Sequence, residues 1–379
     1  MNTRRSFGTA AVAALMSVGF ATPVIAAPAT SPSNTAWTVL SSPNPDPSNN
    51  ALDAVAVVSA NDVWAVGRAG NNTLAEHWDG SQWSVVPTPN PPEANNDSEL
   101  LGVTAIASDD VWAVGYGTNT STGWSTLAEH WDGAAWSIVA TPNPPGQIAG
   151  PSLNAVAATG TNDVWAVGGA GLRGYPGAAV LEHWDGTAWS LAAAPAETKL
   201  WSSSSRFGVA AVGANDVWTV GDFDSFHWDG SSWAVVGGAQ STVAVSAAGP
   251  TDVWSVGSYT YSDGDYTYGP FTLAYRWTGS SWVQSVTVSP TGHDAFQGVV
   301  AIAPNDVWTV GTSSSTSTLT EHFDGAGWSQ VTSASPGSQL NVLDAAAAAG
   351  SHDVWAVGWS LSYANGSFTR QTLIEHFAG

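Results

Sequence analysis

The chain has 379 residues, a formal charge of −22 and no cysteine. With 8 basic residues against 30 acidic ones, it lacks the clustered Lys/Arg that nucleic acid or an anionic membrane would demand, and disulfide or thiolate chemistry is excluded. Charge of one sign suits a protein held apart by self-repulsion, so the expected state is a monomer with neither nucleic acid nor membrane insertion among its partners.

Residues 1–29 read as an export signal. Thr3-Arg4-Arg5-Ser6-Phe7 resembles the twin-arginine motif, Ala10–Phe20 is an apolar run too short for a stable membrane anchor, and small residues at Ala26–Ala29 offer a cleavage site. An ordinary secretory signal is the alternative, and either makes the protein secreted. Residues 30–379 then form a single domain.

From residue 50 onward one pattern recurs. Asp-Val-Trp-x-Val-Gly stands at Asp62–Gly67, Asp110–Gly115, Asp163–Gly168, Asp216–Gly221, Asp252–Gly257, Asp306–Gly311 and Asp353–Gly358. Each copy is followed by a second signature of the form Glu76-His77-Trp78-Asp79-Gly80. In the first copy, Leu52–Val57, Val63–Val66, Thr73–Trp78 and Trp83–Val86 are strand-like, separated by turn residues and stopped by the Pro-rich 87–92. Such self-similarity is the mark of a repeat array. Four strands in each of seven units, with no helical periodicity, predict an all-β fold: a seven-bladed β-propeller. The seventh unit stops at Gly379 before its fourth strand, and Ala36–Leu40 supplies a spare one, so the N-terminal strand is expected to close the last blade.

These repeats resemble the Trp-rich repeat propellers of secreted bacterial proteins and are similar in logic to WD-repeat and kelch propellers. The resemblance covers about residues 36–379 and implies the fold rather than an activity. It also implies a role for the recurring His and Asp. His77, His130, His183, His227, His322 and His376, with the Asp of each signature, build the unit: the Asp accepts backbone N–H bonds, the His bridges strands and the Trp rings pack between blades. Arg276 and Thr278 depart from the pattern in blade 5, and Phe323 and Phe377 in blades 6 and 7.

Specificity is expected on the face carrying the variable loops. Between the two signatures these loops hold 8, 13, 13, 4, 17, 9 and 16 residues in blades 1 to 7. Arg68, Arg173, Lys199, Arg206 and Arg370 fall in or beside them, which suits carboxylate-bearing sugars, although solvated loop charges are the plainer reading. Blade 5 offers Tyr259, Tyr261, Tyr266 and Tyr268, fit to stack on sugar faces; Trp124, Tyr175, Trp201, Trp359 and Tyr363 lie in other loops. Asp263 and Asp265 could contribute to a Ca²⁺ site, but no other metal or cofactor is expected.

Eleven residues before each signature Trp stand Asp53, Leu101, Asn154, Phe207, Val243, Gln297 and Asp344, always followed by Ala or Gly, a pattern suited to a channel wall. Asp53 and Asp344 belong to adjoining blades and could form an acid–base pair, or simply cap turns; His293 beside Asp294 is a candidate base. Three functions follow: a glycan- or polysaccharide-binding propeller, an extracellular polysaccharide lyase or glycoside hydrolase, and a protein-interaction scaffold.

Overall fold

The computed structural model describes residues 37–379 apart from 92–96, 120–122, 144–149, 171–175, 196–200, 203–206, 223, 265 and 315; the expected export signal lies outside them. Seven antiparallel sheets follow one another round a ring. Blade 1 consists of Asn50–Ser59, Asp62–Ala69, Asn72–Trp78 and Trp83–Val86, and blade 2 of Glu99–Ala107, Asp110–Asn119, Gly123–Trp131 and Trp136–Val139. Blades 3 to 6 repeat this order, and the inner strands of successive blades pack side by side until that of blade 7, Leu340–Gly350, meets that of blade 1. This is the predicted seven-bladed β-propeller.

The N-terminal strand closes the ring as expected. Thr38–Leu40 pairs antiparallel with the third strand of blade 7, Ser367–Ala378, in the register Thr38↔His376 and Leu40↔Ile374. Trp37, 5 % exposed, lies 5.6 Å from Trp308 and 5.7 Å from Phe377, the place that Trp83 takes beside Trp355 at the next junction.

Tryptophan supplies the mortar between blades. Each signature Trp meets two aromatic rings of the following blade: Trp64 reaches Trp131 and Trp136, Trp112 reaches Trp184 and Trp189, and Trp355 reaches Trp78 and Trp83. The second contact is edge-to-face, at 86° for Trp64 and 85° for Trp112, the geometry aromatic quadrupoles favour. On its other side the Trp carries the His of its own blade, which bonds through Nε2 to the signature Asp at 2.7–2.9 Å in six blades. In blade 5 Arg276 replaces the His and forks onto Asp252, Nε to Oδ1 at 3.0 Å and Nη2 to Oδ2 at 2.6 Å, beneath Trp254. The role expected of the signature Asp thus belongs partly elsewhere. It holds the His, while the backbone N–H groups of the tight turn are taken by the Asp of the second signature, as Ser81 and Gln82 donate to Asp79.

A β-bulge explains the glycine of the first signature. Leu52 pairs with Gly67 and Ala54 with Val66, so Asp53 is the extra residue of the inner strand. The same bulge falls at Leu101, Asn154, Val243, Gln297 and Asp344. It tucks a carbonyl against the facing glycine: a Cβ on Gly115 would stand 1.9 Å from Glu99 O, and one on Gly311 2.0 Å from Ala295 O. Gly115→Ala is accordingly expected to cost about 3 kcal/mol, near the upper end of ordinary overpacking, and to lower the melting temperature by several degrees in calorimetry.

A second, polar layer ties blade to blade. Thr73 Oγ1 lies 2.8 Å from Thr88 Oγ1, and its N–H donates to Asn90 Oδ1. Thr126 with Thr141 and Asn143, Thr272 with Thr287 and Ser289, Thr318 with Ser333 and Ser335, and Thr372 with Ser42 and Asn44 repeat the arrangement. The blade after each of these links carries a fully buried glutamate: Glu129, Glu182, Glu321, Glu375 and Glu76 in the same order. Ser42 Oγ donates to Glu76, Val288 N–H to Glu321 and Ala334 N–H to Glu375. The other two links lack the hydroxyls, being Ala192-Ala193-Ala194 and Gly237-Gly238-Ala239, and the blades after them carry Phe226 and Tyr275 instead of Glu. Burial drives Glu76 to about 8 against the bond from Ser42, Glu129 to about 8, and Glu182 to about 8 with Thr126 opposing. Burial also raises Glu321 and Glu375 to about 7, where backbone N–H groups hold them lower. Burial therefore shifts this whole layer toward the neutral acid form, more strongly at Glu76, Glu129 and Glu182 than at Glu321 and Glu375.

Candidate functional site

The bulge aims one side chain per blade toward the ring axis. Asp53, Leu101, Asn154, Val243, Gln297 and Asp344, with Phe207 of blade 4, line a central cavity of about 220 Å³ together with the two residues that follow each of them. The expected crowding of the next position is met literally: a Cβ on Gly102 would lie 2.9 Å from Ala155 Cα, one on Gly208 2.9 Å from Ala244 Cα and one on Gly298 2.8 Å from Ala345 Cα. The polar residues are unevenly spread. Gln297, Asp344 and Asp53 form a continuous arc across blades 6, 7 and 1, while Leu101, Phe207 and Val243 line most of the remainder.

Above that arc the face is uneven too. Pairing in the hairpin joining the second and third strands ends at Ala69↔Asn72 in blade 1, at Asn119↔Gly123 in blade 2 and at Ala364↔Ser367 in blade 7. Counted from the shared glycine, the arm of blade 7 runs four residues beyond that of blade 1, roughly 13 Å of strand, and the arm of blade 2 two residues beyond it, roughly 7 Å. Blade 1 is thus the floor of a cleft between two taller neighbours.

The blade 7 wall is aromatic and the floor is charged. Tyr363 packs on Phe368 at 4.8 Å on the blade 7 side, whereas Trp124, 44 % exposed and packed on Tyr116 at 4.6 Å, lies on the face of blade 2 turned toward blade 3. Arg370 lies over the Trp359 ring, 4.0 Å from its centre. Arg68 Nε stands 3.4 Å from Glu99 Oε1, and Tyr116 Oη donates to Glu99 Oε2 at 2.9 Å. Burial and the Glu99 charge push the Tyr116 phenol well above its ordinary range, so it stays a donor. Burial, then repulsion from Arg68, lowers Arg370, while Asp53, Glu99 and Asp344 oppose the shift. Two guanidiniums and three carboxylates therefore share one electrostatic neighbourhood at the channel mouth.

The structure brings Arg68, Arg370, Trp359, Asp53 and Asp344 together, with Gln297 in the same channel wall. It places His293 elsewhere: exposed, with Nδ1 2.9 Å from Gly269 O at the base of the blade 5 hairpin. Asp294 does not orient it, because that carboxylate accepts bonds from Thr291, Gly292 and Ser289. Tyr259, Tyr261, Tyr266 and Tyr268 are all exposed on the blade 5 hairpin. Asp263 there holds the turn, accepting from Tyr266 N–H and Tyr268 Oη, and Asp265 lies outside the described residues. Among the described residues no three His, Cys, Asp or Glu side chains are grouped to hold a metal ion. Trp201 begins a short strand paired with Gly177; Arg173 and Arg206 lie outside the described residues.

Glu99 and Tyr116 escaped sequence reasoning. The position two before each bulge residue reads Ala51, Glu99, Ser152, Ser205, Ser241, Ala295 and Val342, so a lone charge among small and apolar residues was the clue.

These features define a seven-bladed β-propeller with an asymmetric loop face. No family model matches the chain, and no curated protein does. Among solved structures it is similar to YCF48 from Cyanidioschyzon merolae, with a TM-score of 0.55 and 17 % identity over 90 % of this chain and 99 % of that one. It is also similar to an ancestral GH74 enzyme (0.55, 13 %, 89 % of this chain and 48 % of that one) and to the polysaccharide lyase Uly1 (0.51, 12 %, 86 % and 89 %). At these identities the likeness is one of fold.

Proposed function

We propose that this is an exported glycan-binding propeller that holds a saccharide in the cleft over blade 1. The observation that carries the reading is Trp359, stacked with Arg370 in the blade 7 wall, beside a floor of Arg68, Glu99, Asp53 and Asp344. Rings stack on the C–H face of a sugar, and a floor of alternating donors and acceptors suits its hydroxyls. Because carboxylates outnumber guanidiniums, the floor favours neutral saccharides over the uronates that the arginines alone suggested. Export rests on the twin-arginine-like segment Thr3–Phe7.

Titration calorimetry of residues 30–379 against neutral and acidic oligosaccharides tests this. Trp359→Ala and Arg68→Gln are expected to weaken binding at least tenfold, about 1.4 kcal/mol, with the melting temperature unchanged. Equal affinity of the variants and the parent, or binding by none of the oligosaccharides, would overturn it.

A second reading rests on Asp53 and Asp344, two carboxylates of neighbouring blades in one channel wall. A paired acid and base there would make the cleft that of a glycoside hydrolase or lyase. Mass spectrometry of the same mixtures separates the two readings. New chain ends that disappear in Asp344→Asn favour the enzyme, and intact oligosaccharides favour binding alone.

A further inference from the structure

Among the described residues, every large exposed aromatic side chain sits on the hairpin arms of blades 2, 5 and 7. The blade 5 arm, Asp252–Ser262 paired with Thr267–Trp277, stands apart from the cleft, three blades away from blade 1 by the shorter way round. Its rings form a ladder. Tyr259 packs on Phe271 at 5.5 Å near the foot, and Tyr261 stacks on its cross-strand partner Tyr268 at 6.2 Å and 25° nearer the tip. Tyr261 is 58 % and Tyr268 44 % exposed, so pairing leaves much of each ring open.

Polar groups stand at both ends of the ladder. At the tip Asp263 accepts from Tyr268 Oη. At the foot, exposed His293 is fixed by its Nδ1 contact with Gly269 O. An Nδ1–H donated to that carbonyl makes Nε2 an acceptor for a hydroxyl. Next to His293, Gly292 comes so near Phe271 that a Cβ there would touch its ring. The residues from Ser258 to Tyr275 include no Lys or Arg, and Asp263 and Asp265 are the only charged ones. No aliphatic side chain of the arm is among the exposed ones, which distinguishes it from a protein-docking face. A flat, prepaired run of phenols flanked by a carboxylate and an imidazole suits a neutral, hydroxyl-rich chain and repels an anionic one.

We propose that the blade 5 arm is a second saccharide site, taking a neutral polysaccharide along Tyr261, Tyr268, Tyr259 and Phe271, and that the protein is therefore bivalent. This rests on the glycan-binding reading of the blade 1 cleft. Two sites on one rigid ring would let a monomer bridge two polysaccharide chains.

The experiment combines light scattering of a soluble neutral polysaccharide, such as a β-glucan, with pull-down on its insoluble form. It compares the parent, a Tyr261→Ala/Tyr268→Ala variant and Trp359→Ala; the two tyrosines are exposed enough that folding is preserved. The parent is expected to raise scattering in proportion to added protein. Each variant should lose that rise, retain pull-down at least tenfold weaker than the parent, and lose pull-down altogether when the changes are combined. Undiminished cross-linking by the tyrosine variant would overturn the second site while leaving the cleft intact. Complete loss of pull-down in Trp359→Ala alone would also overturn it. No binding by the parent to any saccharide would defeat the cleft reading itself.

Discussion

Raising the pH from 5 to 8 is expected to lower the melting temperature of the propeller, and the cause is the ring of buried glutamates. Glu76, Glu129 and Glu182 lie at about 8 and Glu321 and Glu375 at about 7, against an ordinary 4.5. A folded-state value above the unfolded one means that the folded ring keeps protons the unfolded chain has released. Stability from these acids is complete below about pH 4.5, falls between 4.5 and 8, and then levels off. Each pKa unit corresponds to about 1.4 kcal/mol, so even partial relaxation around the carboxyls leaves an effect of several kcal/mol. Glu129→Gln combined with Glu182→Gln and Glu76→Gln replaces neutral acids by neutral amides of the same shape. That variant should lose more than half of the pH slope measured by calorimetry. A slope equal to the parent's would show that these carboxyls carry charge within the fold.

Trp37→Ala is expected to damage the closure of the ring more than any change at its exposed positions. Trp37 is buried against Trp308 and Phe377, and truncating a buried Trp costs about 3–5 kcal/mol. Here the loss falls on a closing strand held by only three backbone pairs, Thr38–Leu40. Its release would bare the edge of Ser367–Ala378, so aggregation on heating should accompany the lower transition. The matched change Trp83→Ala removes an equivalent ring from a blade continuous in sequence. Equal aggregation in the two variants would mean that closure has no special role.

Architecture was legible because it is written seven times. The Asp-Val-Trp-x-Val-Gly frame, the spare strand at Ala36–Leu40 and the small residue at each channel position each follow from spacing. The channel-facing role of Asp53 and Asp344 was also legible, since their offset from the signature Trp is constant. What spacing could not reveal was where the site gathers. Glu99, Arg68, Tyr116 and Arg370 come from four strands of three blades, and their meeting depends on the differing heights of hairpins whose lengths alone do not say which neighbours they overlook. His293 illustrates the converse. Its place beside Asp294 made it a candidate base, but its ring turns to Gly269 O, and Thr291 and Ser289 claim the carboxylate. The coupling of a hydroxyl-bearing link to the glutamate of the next blade was present in the sequence, visible as five blades with both and two with neither.

The small residues of the channel wall carry a last consequence. Round the ring they run Ala54, Gly102, Ala155, Gly208, Ala244, Gly298 and Ala345, a strict alternation in which each glycine yields to the alanine after it. Seven is odd, so a two-step pattern cannot return to its start without a mismatch. The one place where alanine follows alanine, Ala345 then Ala54, is the junction between the blade that the N-terminal strand closes and blade 1, where Asp344 and Asp53 adjoin. An even-bladed ring of these units would have no such seam; in this one, parity alone makes a single junction unlike the other six, and an otherwise repetitive protein acquires one address.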